Sequence, residues 1–152
     1  MGTADKWHRF RELPADIQTR LQQLPALFAR EGVLLTYLFG SLARAETGQD
    51  VDLALLMPEE KRPYRLHQPI ADTLGIERLD IIDLRRASPV LRYEIISTGL
   101  CIYAADDDIQ LDCELKWLRE YRDTAWLRRR QDGLLAERMK QWSSDATASL
   151  RE

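Results

Sequence analysis

Residues 39–56 read FGSLARAETGQDVDLALL, and they hold the side chains of this chain best suited to chemistry. Asp50 and Asp52 flank Val51 in a run that alternates like a strand. Both acids then project from one face, with Val51 and Leu53 on the other. Carboxylates held side by side on a rigid strand repel each other unless a cation lies between them. A hard cation such as Mg²⁺ takes a few carboxylates and completes its shell with water and substrate phosphates. Ahead of the acids, an apolar run over 33–39 ends in Gly40-Ser41. A residue without Cβ, a hydroxyl and backbone N–H groups at an expected helix start are what a triphosphate needs. Either feature alone is common on a solvated edge. In the order strand, Gly-Ser, short helix, Asp-x-Asp strand, they point to Mg-dependent phosphate handling. A third acid follows in the run RLDIIDL over 78–84, where Asp80 interrupts an apolar stretch and therefore needs a cation or a cationic partner. Asp83 is three residues further on, so a regular strand turns it to the opposite face.

These side chains need a sheet to hold them, and the pattern supplies one. Pro14-Ala15-Asp16 opens a first helix with Ile17, Leu21 and Leu24 at helical spacing, which Pro25 is expected to kink and Glu31-Gly32 to end. Strands follow over 33–39 and 51–57. A polar connection over 58–65 leads to a helix over 66–74, stopped by Gly75, with Pro69 tolerable in its first turn. A third strand covers 79–84. Ser88-Pro89 caps another helix, closed by Gly99, and 100–103 forms a fourth strand. Asp106-Asp107-Asp108 then starts a long helix reaching about 142, its acids complementing the positive end of the dipole rather than holding a metal. Gly133 is its expected weak point, and 143–152 its frayed end. The fold class is α/β (α+β), a small mixed sheet flanked by helices with a long C-terminal helix, and all 152 residues are read as one domain.

The signature Gly-Ser, spacer, Asp-x-Asp, with a later acidic strand, resembles the nucleotidyltransferase fold shared with DNA polymerase beta. Within that group the chain resembles the minimal, MNT-type nucleotidyltransferases. ERLDIIDL, then RRASPVLRYEIISTGLCIYAADD and a long charged helix, is similar to the MntA antitoxins, partners of HEPN toxins; the likeness runs over about 20–142. The resemblance implies that Gly40 and Ser41 hold a nucleoside triphosphate, with Arg44 adding charge. It implies that Asp50, Asp52 and Asp80 hold two Mg²⁺ ions, one activating an acceptor hydroxyl and one stabilising departing pyrophosphate. Asp80 matches the family position better than Asp83, which is expected near the strand end beside Arg85 or Arg86. The same likeness implies ATP as donor, a tyrosine of a cognate HEPN ribonuclease toxin as acceptor, and assembly with that toxin. Two departures are visible. Ala45 stands where relatives carry glycine, limiting close backbone approach, and the spacer from Ser41 to Asp50 is short, with Gly48 available for a tighter turn. Transfer to a small molecule, or a non-catalytic antitoxin that masks its partner by binding, are the alternatives.

Composition narrows the setting. A hydrophobic content of 45%, a charged content of 31% and a net charge of −3 fit a soluble globular protein and argue against broad nucleic-acid binding. Cys101 and Cys113 lack any CxxC or Cys/His pattern and read as reduced thiols. No apolar h-region or membrane-length run is found, so a cytoplasmic location without a membrane segment is expected. His67 reads as packing or surface. Arg128-Arg129-Arg130 fans around a helix as a solvated face or as a surface for an acidic partner. The aromatics and leucines after Trp117 leave room for a partner interface beyond their packing onto the sheet.

Overall fold

A proline early in the chain decides how the first helical stretch is divided. The structure, a computed structural model, describes residues 13–46 and 50–149. Helix α1 (Ile17–Leu21) and helix α2 (Leu24–Glu31) are separate, with Pro25 in the first turn of α2, where its missing N–H costs nothing. Instead of the expected kink, the helix breaks before the proline. After α2, Val33 N donates to Phe28 O at 3.0 Å, and the first strand, β1 (Leu35–Phe39), therefore starts two residues later than the apolar run.

The remaining elements are β2 (Val51–Leu56), a 3-10 turn (Pro63–Leu66), α3 (His67–Leu74), β3 (Leu79–Asp83), α4 (Pro89–Thr98), β4 (Leu100–Ala104), α5 (Asp107–Asp123) and α6 (Ala125–Ser149). The sheet order is β3-β2-β1-β4. Strand β1 runs antiparallel to β2 and β4, while β2 and β3 are parallel, so the sheet is mixed. Ser88 caps α4 by accepting from Leu91 N at 3.2 Å.

Both faces of the sheet are covered. One carries Val51, Leu53, Leu55, Leu79 and Ile81 against Leu24 and Phe28 of α2 and Ile70 and Leu74 of α3. The other carries Leu35, Tyr37, Ala54 and Leu56 with Ile95 of α4 and Trp117 of α5. A fully buried leucine such as Leu53 contributes roughly 1.5–3 kcal/mol of transfer free energy. Burial of both faces explains why β2 reads as a nearly continuous apolar run interrupted only by Asp52. Arg92 of α4 donates to Leu84 O at 2.7 Å and Arg85 O at 2.6 Å, pinning the connection that follows β3.

Contacts divide the chain into two compact units, Met1–Trp117 and Leu118–Glu152. The sheet and both buried clusters belong to the first. In the second, the long helix breaks at Thr124 rather than at Gly133, which lies inside α6 with open space around its Cβ position. The Thr124 hydroxyl donates to Glu120 O and Tyr121 O while accepting from Arg128 Nη1 at 2.7 Å. The Arg128 guanidinium stacks 3.7 Å from the Tyr121 ring centroid. Side chain and cation together satisfy the backbone of a break that glycine alone would leave bare. Helix α6 continues through 143–149, expected to fray, and 150–152 lie outside the described residues. Trp126, Leu134, Leu135, Met139 and Trp142 of α6 are exposed.

Candidate active site

The acids meet where β2 and β3 begin. In the parallel ladder Val51 lies opposite Leu79, and Asp52 opposite Asp80. Strand alternation puts Asp52 and Asp80 on the same face, beside Ala54 and Ile82, at an end of the sheet left open to solvent. Asp52 is half-buried and Asp80 exposed. Burial pushes the Asp52 carboxyl up; Asp80 and then Asp50 push it further, while Arg44 and Arg78 pull it back. Proximity of the three acids is thus felt by the one least able to shed its charge into water.

Asp50 has a different neighbour. Its Oδ1 lies 2.7 Å from Arg78 Nε as an ion pair. The same oxygen is buried and accepts no well-directed hydrogen bond among the described residues. The contact is therefore an ion pair at close range. Arg78 went unnoticed as a site residue in the sequence, although its position two before Asp80 places it on the same strand face.

Gly40 sits just beyond β1 in the left-handed region at φ +75°, and a Cβ built there would fall 2.2 Å from Asp52 Oδ2. The glycine lets backbone lie directly against a carboxylate, a cradle that any other residue would fill. After it the chain makes consecutive turns over 41–45, not the short helix expected. Arg44 N and Glu46 N both donate to Ser41 O, at 3.1 and 3.0 Å, and Ala45 N donates to Leu42 O at 3.2 Å. Ala45 closes this turn at φ 56°, the left-handed conformation that a glycine takes without penalty. Leu42 and Ala43 anchor the turn on the core. No helix dipole is on hand at Ser41; backbone N–H groups and the hydroxyl remain. Arg44 is exposed and paired with Glu46, Nε to Oε1 at 3.3 Å. Gly48 lies outside the described residues.

Asp83 is placed elsewhere. It is buried on the opposite face, opposite Leu55, and accepts from Arg85 N at 2.9 Å, with Arg86 Nε 3.9 Å away. His67 Nε2 is 2.9 Å from Leu79 O, holding the first turn of α3 to β3 in a structural role.

Residues 22–108 match the family described as Polymerase beta, Nucleotidyltransferase. The chain belongs to that family. Among solved structures, this transferase is similar to one described as a minimal nucleotidyltransferase, at 29% identity and TM-score 0.50 over 55% of this chain and 90% of that one. A likeness at 24% identity and TM-score 0.61 covers 81% of this chain and 98% of a chain in the structure of a tri-AMPylated Shewanella oneidensis HEPN toxin in complex with MNT antitoxin. Another, of a toxin–antitoxin with AMP-PNP, has 24% identity and TM-score 0.61 over 78% of this chain and 98% of that one. At that identity the two latter show a shared fold. Comparison with curated proteins gave no match.

The donor set fits a hard divalent cation. A buried carboxylate oxygen lacks a directed hydrogen bond, two acids stand in register, and a glycine keeps the space beside Asp52 clear. Among the described residues no three His, Cys, Asp or Glu side chains are gathered to hold a metal as they stand, and Asp50 is paired with Arg78. No described helix is long and apolar enough to cross a membrane.

Proposed function

We infer that this transferase moves AMP from ATP to a tyrosine hydroxyl on a HEPN-type toxin encoded beside it, and so neutralises that toxin. The reading rests above all on Asp52 and Asp80 standing in register beneath the Gly40 turn, with Asp50 two residues away on the same face. The AMP-bearing toxin and the AMP-PNP among structures of the same fold support the donor and the partner. The exposed Trp126, Leu134, Leu135, Met139 and Trp142 of α6 support a protein partner.

Asp50, Asp52 and Asp80 are the groups that would hold Mg²⁺, which on binding neutralises the triphosphate and lowers the pKa of the acceptor hydroxyl. The chain's own groups do the positioning. The Ser41 hydroxyl and those backbone N–H groups of the turn not spent on closing it would meet the phosphates, and the missing Cβ at Gly40 leaves room for them beside Asp52. Arg44, paired on the surface with Glu46, is near enough to Asp52 to add positive charge where the polyphosphate lies. The acceptor oxygen forms a bond to the α-phosphorus, the α–β bridging bond breaks, and pyrophosphate departs. The hydroxyl proton passes through the carboxylates to solvent, to which Asp80 is open.

Ala45 favours a second reading, neutralisation by binding alone, since its Cβ narrows the approach to the phosphate turn. Co-expression separates the two. Growth arrest by the neighbouring toxin should be relieved by the wild-type transferase and not by the Asp50→Ala/Asp52→Ala variant, although that variant still co-purifies with the toxin. Relief by both proteins would establish masking.

A further inference from the structure

Asp50, Asp52, Asp80 and Arg78 occupy the corners of one patch. The β2–β3 ladder sets Asp52 opposite Asp80, and Val51 N donates to Arg78 O at 3.1 Å, so two residues back along both strands Asp50 comes opposite Arg78. Neighbouring strands are about 4.8 Å apart and same-face residues about 7 Å apart along a strand. Three negative charges and one positive charge therefore share a patch of two facing residue pairs. The positive one is committed, with Arg78 Nε 2.7 Å from Asp50 Oδ1 and both side chains about one-third exposed, at 29% and 34%. That oxygen is buried, and the guanidinium is the cation found against it.

A guanidinium and a metal ion cannot both sit against one carboxylate oxygen. We propose that Arg78 is the resting counter-ion of the carboxylate site: it holds Asp50 until a divalent cation displaces it, and thereby sets the cation concentration at which the site loads. The proposal rests on the reading of Asp50 and Asp52 as metal ligands. Arg78 is a positioning residue in this scheme, acting through Asp50 and not on the substrate. The arrangement has a physical rationale. Without a cation, three ionised acids at the mouth of the sheet would strain the β2–β3 pairing, and Arg78 offsets that repulsion. Once a divalent ion arrives, the same charge opposes it.

The test measures Mn²⁺ binding to the whole, nucleotide-free protein by calorimetry. An ion pair of this exposure is worth a factor of about five in binding, so Arg78→Gln should bind Mn²⁺ about fivefold more tightly than wild type. Arg78→Lys, which keeps a charge, should stay within about twofold of wild type. The gain from Arg78→Gln should vanish when it is combined with Asp50→Asn, because the competition is for Asp50. In wild-type protein, the NMR signal of the Arg78 Nε–H should shift on Mg²⁺ addition with the same midpoint as metal binding, a readout that does not depend on any variant folding. Unchanged or weaker Mn²⁺ binding by Arg78→Gln, a gain that persists with Asp50→Asn, or an Arg78 signal indifferent to Mg²⁺ would overturn the proposal while leaving the metal site intact. Asp52→Asn binding Mn²⁺ as well as wild type, or no binding by wild type, would overturn the reading of the site itself.

Discussion

Ala45 holds the turn above the acids at φ 56°, where the Cβ of an L-residue crowds the following carbonyl by roughly 1–2 kcal/mol. Ala45→Gly removes that crowding but frees the unfolded chain, so the net gain in stability should be about 1 kcal/mol, read as a higher urea midpoint. Gly40 is the reverse case. A methyl there overlaps Asp52 Oδ2, and Gly40→Ala should cost roughly 2 kcal/mol or more and displace the carboxylate, measured by urea unfolding and by Mn²⁺ binding. Asp52 carries a pH prediction. Its carboxyl is raised in the folded state, first by burial and then by Asp80 and Asp50, so the folded protein holds that proton more tightly than the unfolded chain. The resulting penalty is absent below the ordinary carboxylate range and grows as pH rises through the raised value. Metal-free Asp52→Asn should therefore unfold at higher temperature than wild type above that range, the two converging at acid pH. That Asp50 and Asp52 share a face, and that Asp80 and Asp83 do not, was legible in the sequence because strand alternation fixes it. Arg78 was not, since the sequence alone does not place it against Asp50.

At the scale of elements, the strands and most helices followed from apolar alternation and from proline and glycine punctuation. What periodicity missed were breaks set by side-chain to backbone bonds. The turn after Ser41 closes through the Ser41 carbonyl, and the long helix breaks through the Thr124 hydroxyl and Arg128, none of which changes the apolar pattern. A polar contact inside the second cluster ties helix α5 to the sheet. Tyr37, 2% exposed, donates its hydroxyl to Glu114, which also accepts from Gln110 Nε2 at 3.1 Å. A hydrogen bond to a charged group is worth about 1.5–3 kcal/mol. Tyr37→Phe should therefore lower stability by about 1–2 kcal/mol, since Gln110 still serves Glu114. Hydrogen exchange should rise in α5 and not in β2 or β3.

For the molecule as a whole, the site lies on a sheet whose buried clusters end at Trp117. A chain ending at Asp123 should accordingly keep cooperative unfolding with a loss of no more than about 1 kcal/mol, while losing the exposed apolar side chains of α6. Reduced capture of the toxin by that shortened chain, with Mn²⁺ binding unchanged, would assign α6 to partner recognition. The central claim is nucleotidyl transfer by the carboxylates, and the most direct measurement follows the phosphorus. The purified transferase is incubated with Mg²⁺ and the neighbouring toxin, using ATP labelled at the α-phosphate in one reaction and at the γ-phosphate in another. Label on the toxin from the α-phosphate alone, lost with Asp50→Ala/Asp52→Ala, is the expected result. Label from the γ-phosphate, or none while a stable complex forms, would contradict it.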